Sequence, residues 1–137
     1  MNGRICAAAT AKTMPELRAM VKNAERARAD LVEVRLDYLN EDCDLREIRD
    51  LTAQPIIATN RLIEEGGLFE GTEEKRVSVL VDAASNGFDF VDVELMAKNV
   101  EGIIKRLRKT DVKIIVSLHR SSLTPSLQEL NRVFKKE

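Results

Sequence analysis

Short apolar runs alternate with stretches of helical periodicity along the whole chain, and four of those runs end in polar or charged side chains. Together these features predict an α/β fold with parallel strands: a (β/α) barrel of TIM type carried to about five βα units, with a flavodoxin-like five-stranded open sheet as the alternative. A third observation favours the barrel. Within those four runs, polar or charged residues recur at every second position toward the end, so each of the four strands has one polar and one apolar face. The apolar faces take helices, and the polar faces need a shared concave interior, which a sheet covered by helices on both sides does not offer.

The elements follow in order. Ile5 to Thr10 reads as a short apolar strand. Thr13 with Glu16 forms a capping box for a helix carrying Leu17, Met20, Val21, Ala24 and Ala27 on one face. Leu31 to Tyr38 is the second strand, followed by a helix around Leu45, Ile48 and Leu51. The third strand starts at Pro55 and runs toward Arg61. A Gly-rich loop leads from it to Thr72, the expected N-cap of a helix with Val77, Leu80, Val81 and Ala84 that stops at Asn86-Gly87. Phe88 to Leu95 is the fourth strand, Asn99 to Lys109 the fourth helix, and Lys113 to His119 the fifth strand. A fifth helix opens at Ser126 with Glu129 three residues on. No interior linker interrupts the pattern, so residues 1–137 are expected to form a single (βα)5 domain.

Composition sets the class. With 137 residues, 44% of them apolar and 33% charged, the chain suits one globular domain with a real core. A net charge of −1 gives no global field for nucleic acid or for an acidic membrane surface. The basic stretch Lys105-Arg106-Leu107-Arg108-Lys109 reads as the wet face and last turn of an amphipathic helix rather than a nucleic-acid patch, because Val100, Ile103, Ile104 and Leu107 recur at helical spacing. Cys6 in a strand and Cys43 in an acidic loop make neither a metal cluster nor a disulfide framework, so a reducing cytoplasm is the expected compartment. No signal peptide is recognisable and no apolar run approaches a membrane span.

The candidate chemistry lies at the strand ends. His119, the sole histidine, closes the fifth strand, at the end where α/β enzymes place their chemistry, and it is the side chain suited to moving protons near neutral pH. Glu33, Arg35 and Asp37 share one strand face; Ile57, Thr59 and Arg61 share another, as do Asp92 with Glu94, and Ile115 with Ser117 and His119. Each group also has a structural reading. Glu33, Arg35 and Asp37 suit an internal ion-pair ladder, and His119 a hydrogen-bonded structural role. The loop from Arg61 to Gly71 reads equally as a mobile lid and as an ordinary surface loop; Glu64, Glu65 and Glu70 in it would repel phosphate. Asp92 and Glu94 have the look of a metal-ligand pair, but no His or Cys lies at useful spacing and no metal is expected. On spacing alone the function is a small-molecule lyase or isomerase.

Taken together, Ala29-Asp30-Leu31-Val32-Glu33-Val34-Arg35-Leu36-Asp37, Thr59-Asn60-Arg61 with Glu64-Glu65-Gly66-Gly67, Val91-Asp92-Val93-Glu94-Leu95, and Val116-Ser117-Leu118-His119 with Thr124-Pro125-Ser126 resemble the type I 3-dehydroquinate dehydratase family. The resemblance covers essentially the whole chain. It implies a shikimate-pathway hydro-lyase on a (β/α)₈ barrel that converts 3-dehydroquinate to 3-dehydroshikimate without metal or cofactor. In that family a lysine forms a Schiff base with the substrate ketone, making an electron sink. By motif match His119 would be the general base and then the general acid, and Glu65 would orient it and raise its basicity. Glu33, Arg35 and Arg61 would hold the substrate's hydroxyls and carboxylate.

The sequence departs from the family in two ways. Arg120 follows the histidine where the family carries an acid or amide. The family's Schiff-base lysine lies on a sixth strand, and no lysine here takes its place: Lys113 enters its strand at the wrong end, Lys105 and Lys109 are on a helix, and Lys12 alone is read near the rim. The chain is therefore expected to be inactive by itself, with open edges covered by a second copy or by a C-terminal half-barrel. Two other readings stand beside this one: a non-catalytic half-barrel that binds a polyhydroxy acid or a partner chain, and another lyase or aldolase using Lys12.

Overall fold

The computed structural model describes residues 3–120 and 122–135. Five parallel strands, β1 (Cys6–Ala9), β2 (Leu31–Arg35), β3 (Ile56–Thr59), β4 (Phe90–Glu94) and β5 (Lys113–Ser117), alternate with helices α1 (Met14–Arg26), α2 (Leu45–Arg49), α3 (Glu73–Ser85), α4 (Val100–Leu107) and α5 (Leu127–Phe134). The spatial order is β1-β2-β3-β4-β5. This order overturns the flavodoxin-like alternative, in which the strand order reverses at a switch point. With every crossover stepping the same way along the sheet, the right-handed sense that parallel connections take collects the helices on one face, as in a barrel wall.

The two faces follow from register. Val32 pairs with Ile56 and Val34 with Ala58, and all four are fully buried beneath the helices along with Val91 and Val93. Leu17, Val21, Ala24, Ile48, Val77, Leu80, Ile103 and Leu107 supply the helix side of that core. The other face carries Glu33 and Arg35, Thr59, Asp92 and Glu94, and Ser117, through the pairings Arg35 with Thr59 and Glu94 with Ser117. Lys105, Arg106, Arg108 and Lys109 are exposed, the wet face expected of α4.

Helix ends are set by local chemistry. Thr13 accepts from the Glu16 amide at 3.4 Å, but Glu16 reaches back to the Lys12 amide rather than to Thr13, so the expected box is displaced by one residue. Ser126 and Glu129 form the full reciprocal box. α3 stops at Gly87, whose φ of 86° only glycine adopts freely, with the Phe88 amide returning to the Ala83 carbonyl. Met20, expected on the buried face of α1, is 40% exposed.

All five strands are shorter than periodicity suggested, and in β2, β3 and β5 this matters for the site. β2 stops at Arg35, where its partner β3 also stops pairing, and Leu36–Tyr38 forms a 3₁₀ turn. β3 ends at Thr59 and β5 at Ser117, leaving Arg61 and His119 two residues beyond their strands.

Candidate active site

At the C-terminal ends of β3, β4 and β5, three of the expected residues meet. Arg61 Nη1 lies 2.8 Å from His119 Nε2, and Glu65 Oε2 lies 3.1 Å from His119 Nδ1. The same Glu65 oxygen accepts from the His119 amide at 3.0 Å, so one carboxylate oxygen fixes both the ring and its backbone. A guanidinium can only donate, so Nε2 accepts and the ring proton resides on Nδ1, donated to Glu65.

Arg61 is itself held from below. Nη2 donates to Asp92 Oδ1 at 2.9 Å, and that oxygen also accepts from Ser117 Oγ at 2.8 Å. Arg61 Nε faces Glu94 Oε1 at 3.7 Å, too long for a hydrogen bond. Arg61 Nε and Glu65 Oε1 are buried without a hydrogen-bond partner among the described residues, beside a histidine that is 38% exposed on its side chain. Buried polar atoms left this way next to an open face suit a ligand-binding site.

Asp92 and Glu94 thus serve as counter-ions to arginines rather than as a metal pair. Glu94 bonds Arg76 Nη1 at 2.6 Å with both groups fully buried. Burial is the largest influence on Glu94 and pushes its carboxyl above the ordinary glutamate value, an effect that the Arg76 charge opposes without cancelling. Burial works against the Arg76 charge as well, but hydrogen bonding to Glu73 and the charges of Glu94 and Glu73 outweigh it, so Arg76 stays cationic.

Glu33 and Arg35 form a neighbouring group. Among the described residues neither hydrogen-bonds to Arg61, Glu65 or His119. Glu33 Oε1 accepts from Thr59 Oγ1 at 2.7 Å. Arg35 grips Asp37 with two parallel bonds of 3.0 and 2.8 Å and stacks over Tyr38 at 4.9 Å. The expected ladder therefore exists between Arg35 and Asp37, and Glu33 stands outside it. Asp37 also anchors the loop after β3 by accepting from the Leu68 amide at 3.0 Å.

An open cleft of about 540 Å³ lies beside His119, lined among others by Glu65, Gly71, Met96, Lys98 and Arg120. Two of the relevant residues were not singled out by sequence reasoning. Lys98, on the loop after β4, brings an amine to this cleft. Arg76 interrupts the apolar face of α3, and a cation four residues before Leu80 on a buried stripe is the signal that could have found it.

The sheet order and this gathering of histidine, carboxylate and guanidinium at the strand ends define a polar, partly open site on a (β/α)-barrel wall. A family model described as Type I 3-dehydroquinase matches residues 5–137. The chain is 38% identical over 137 residues to a 3-dehydroquinate dehydratase of Methanothermobacter thermautotrophicus, covering 98% of this chain and 61% of that protein. It is 41% identical over 106 residues to one from Methanothrix thermoacetophila, covering 77% and 45% respectively. The crystal structure of the Geobacillus kaustophilus 3-dehydroquinate dehydratase superposes with a TM-score of 0.89 at 22% identity, over 99% of this chain and 58% of that one. The chain belongs to the type I 3-dehydroquinase family, and it spans roughly half to three fifths of the length of these relatives.

Proposed function

We propose that the chain carries the proton-transfer part of a type I 3-dehydroquinate dehydratase, the hydro-lyase that converts 3-dehydroquinate to 3-dehydroshikimate and water. The observation that carries this reading is the His119 ring held between Arg61 and Glu65, in a chain of this family. The substrate carboxylate draws the Arg61 guanidinium to itself, and the Nε2 lone pair is released. That lone pair takes the proton from the carbon beside the ketone, while Glu65 holds Nδ1–H and stabilises the imidazolium that forms. The electron pair left on carbon is drawn toward the ketone carbon as its imine, and the ring then returns the proton to the departing hydroxyl, so that water leaves. Glu33 and Arg35, along the same inner face, hold the substrate's hydroxyls.

The imine-forming amine is the part we place outside these residues. Lys113 stacks over Phe90 at the opposite end of β5, Lys12 does not line the cleft beside His119, and Lys98 does. The unpaired backbone rows of the outer strands β1 and β5 suit cover by further βα units or by a second copy of the chain, which sedimentation at rising concentration distinguishes. The free thiols of Cys6 and Cys43 suit a reducing cytoplasm. Among the described residues no helix is long and apolar enough to cross a membrane.

The test is the enone absorbance and the heat of binding when the purified chain meets 3-dehydroquinate, with His119→Ala and Arg61→Ala as controls. Binding lost in Arg61→Ala without turnover is the expected result. Turnover lost in His119→Ala would move the amine into this chain, and borohydride trapping with peptide mapping would locate it at Lys98 or Lys12. Absence of binding would defeat the reading.

A further inference from the structure

α3 carries a charge where its periodicity asks for a hydrocarbon. Arg76 lies on the face that buries Val77, Leu80, Ala83 and Ala84, and its side chain has no exposure. Two of its N–H groups grip Glu73, from Nε to Oε2 at 2.7 Å and from Nη2 to Oε1 at 2.8 Å. Nη1 crosses to the sheet, donating to the Asn60 carbonyl at 3.1 Å and to Glu94 Oε2 at 2.6 Å. The other Glu94 oxygen accepts from the Leu62 amide at 3.4 Å.

Asn60 and Leu62 flank Arg61. Arg76 therefore clamps the backbone on one side of Arg61 directly and on the other side through Glu94, whose Oε1 also faces Arg61 Nε. Stability does not explain this arrangement, because a well-packed apolar side chain commonly serves a fold as well as a buried ion pair does, or better. Direction does explain it: a planar guanidinium reaches four acceptor oxygens on three residues in fixed geometry, which neither an ammonium nor a hydrocarbon can do.

We propose that Arg76 is a positioning residue for the proton-handling site, fixing Arg61 through the Asn60 carbonyl and Glu94, and through Arg61 the ring of His119. The inference rests on the reading of the His119 cluster given above, but its first readout requires no substrate.

His119 is the sole histidine of the chain, so ¹⁵N-histidine labelling reports a single ring. Arg61 at Nε2 and Glu65 at Nδ1 select the Nδ1–H tautomer in the wild-type chain. Three variants probe the clamp. Arg76→Lys keeps the charge and loses the fork, Arg76→Met with Glu94→Gln removes both buried charges together, and Glu73→Gln loosens the fork from the part-exposed helix start. In folded variants the ring resonances are expected to move toward the Nε2–H tautomer that imidazole prefers in water, with the largest change in the double variant. Affinity for 3-dehydroquinate is expected to fall about 10- to 100-fold, the usual scale for a residue supporting a ligating group. A wild-type ring pattern in every variant that folds, Glu73→Gln included, would overturn the inference and leave Arg76 a structural ion pair. A shifted ring pattern together with no 3-dehydroquinate binding even by the wild-type chain would uphold the positioning and sink the dehydratase reading instead.

Discussion

His119 makes two hydrogen bonds that assign opposite tasks to its nitrogens, and each neighbour can be removed to see what it does. Glu65→Gln retains an oxygen able to accept from Nδ1–H but loses the charge that stabilises an imidazolium. Binding of 3-dehydroquinate should therefore change little, while any turnover falls. Arg61→Lys is the complementary case. If Arg61 takes the substrate carboxylate as proposed, an ammonium, a point charge, cannot hold Asp92 and that carboxylate in one plane, so the expected loss is about 1.5–3 kcal/mol of binding, roughly 10- to 150-fold by calorimetry. Removing the ring altogether, in His119→Ala, should reduce any turnover about 10²- to 10⁴-fold with binding largely kept. The contacts among these residues were legible in the sequence because period-two counting placed Arg61, Asp92, Ser117 and His119 on one inner face, and the family motifs paired Glu65 with His119. Arg76 was missed because an arginine on an amphipathic helix ordinarily marks the wet side, although its place four residues before Leu80 sets it on the apolar stripe, where packing buries it.

At the scale of elements, the expected strands and helices all form, but their ends moved for a physical reason. A parallel strand lasts only as long as its neighbour's ladder, so Leu36 to Tyr38 turns into a 3₁₀ helix once the Arg35–Thr59 pairing ends, and Asp37 meets Arg35 across that turn instead of along a strand. The loop between β3 and α3 is a folded element in its own right. The Leu68 amide is tied to Asp37, the Gly67 amide to the Leu62 carbonyl and the Phe69 amide to the Arg61 carbonyl. Its two adjacent glycines make a contrasting pair. Gly66 has φ of 81° and open space around a would-be Cβ, so Gly66→Ala meets only the left-handed backbone cost of about 1–2 kcal/mol. A Cβ on Gly67 would lie 2.1 Å from the Arg61 carbonyl oxygen, a contact with backbone that nothing flexible can relieve. Gly67→Ala should therefore displace the loop and with it the Glu65–His119 contact, seen as a shift of the single histidine's ring signals. Gly66→Ala should lower the unfolding midpoint while leaving those signals in place. A Gly67→Ala protein with unaltered ring signals would show that the loop does not register Glu65.

The strands keep their ionisable side chains on one face of the sheet and aliphatic hydrocarbon on the other, and the charge burial this requires, Arg76 on the helix side included, should be visible in the stability of the whole molecule. Glu94 is the sharpest case. Its carboxyl is almost wholly buried, and burial, opposed by Arg76, holds its pKa above the ordinary glutamate value. Folded Glu94 then binds a proton more tightly than unfolded Glu94, so through this group the folded state gains as pH falls. The gain begins as pH drops to the raised folded value and is complete below the ordinary glutamate range; above that window the ionised side chain weighs against folding relative to a neutral one. Other carboxylates titrate in the same range, so the measurable quantity is a difference: the unfolding free energy of the wild-type chain minus that of Glu94→Gln, followed by urea titration from neutral pH downward. Glutamine still accepts from Arg76 and cannot titrate, so the difference should rise in favour of the wild-type chain as pH falls through the window. A difference that falls instead would mean that the Arg76 charge, not burial, governs Glu94, and that the clamp on Arg61 tightens when the carboxylate is ionised.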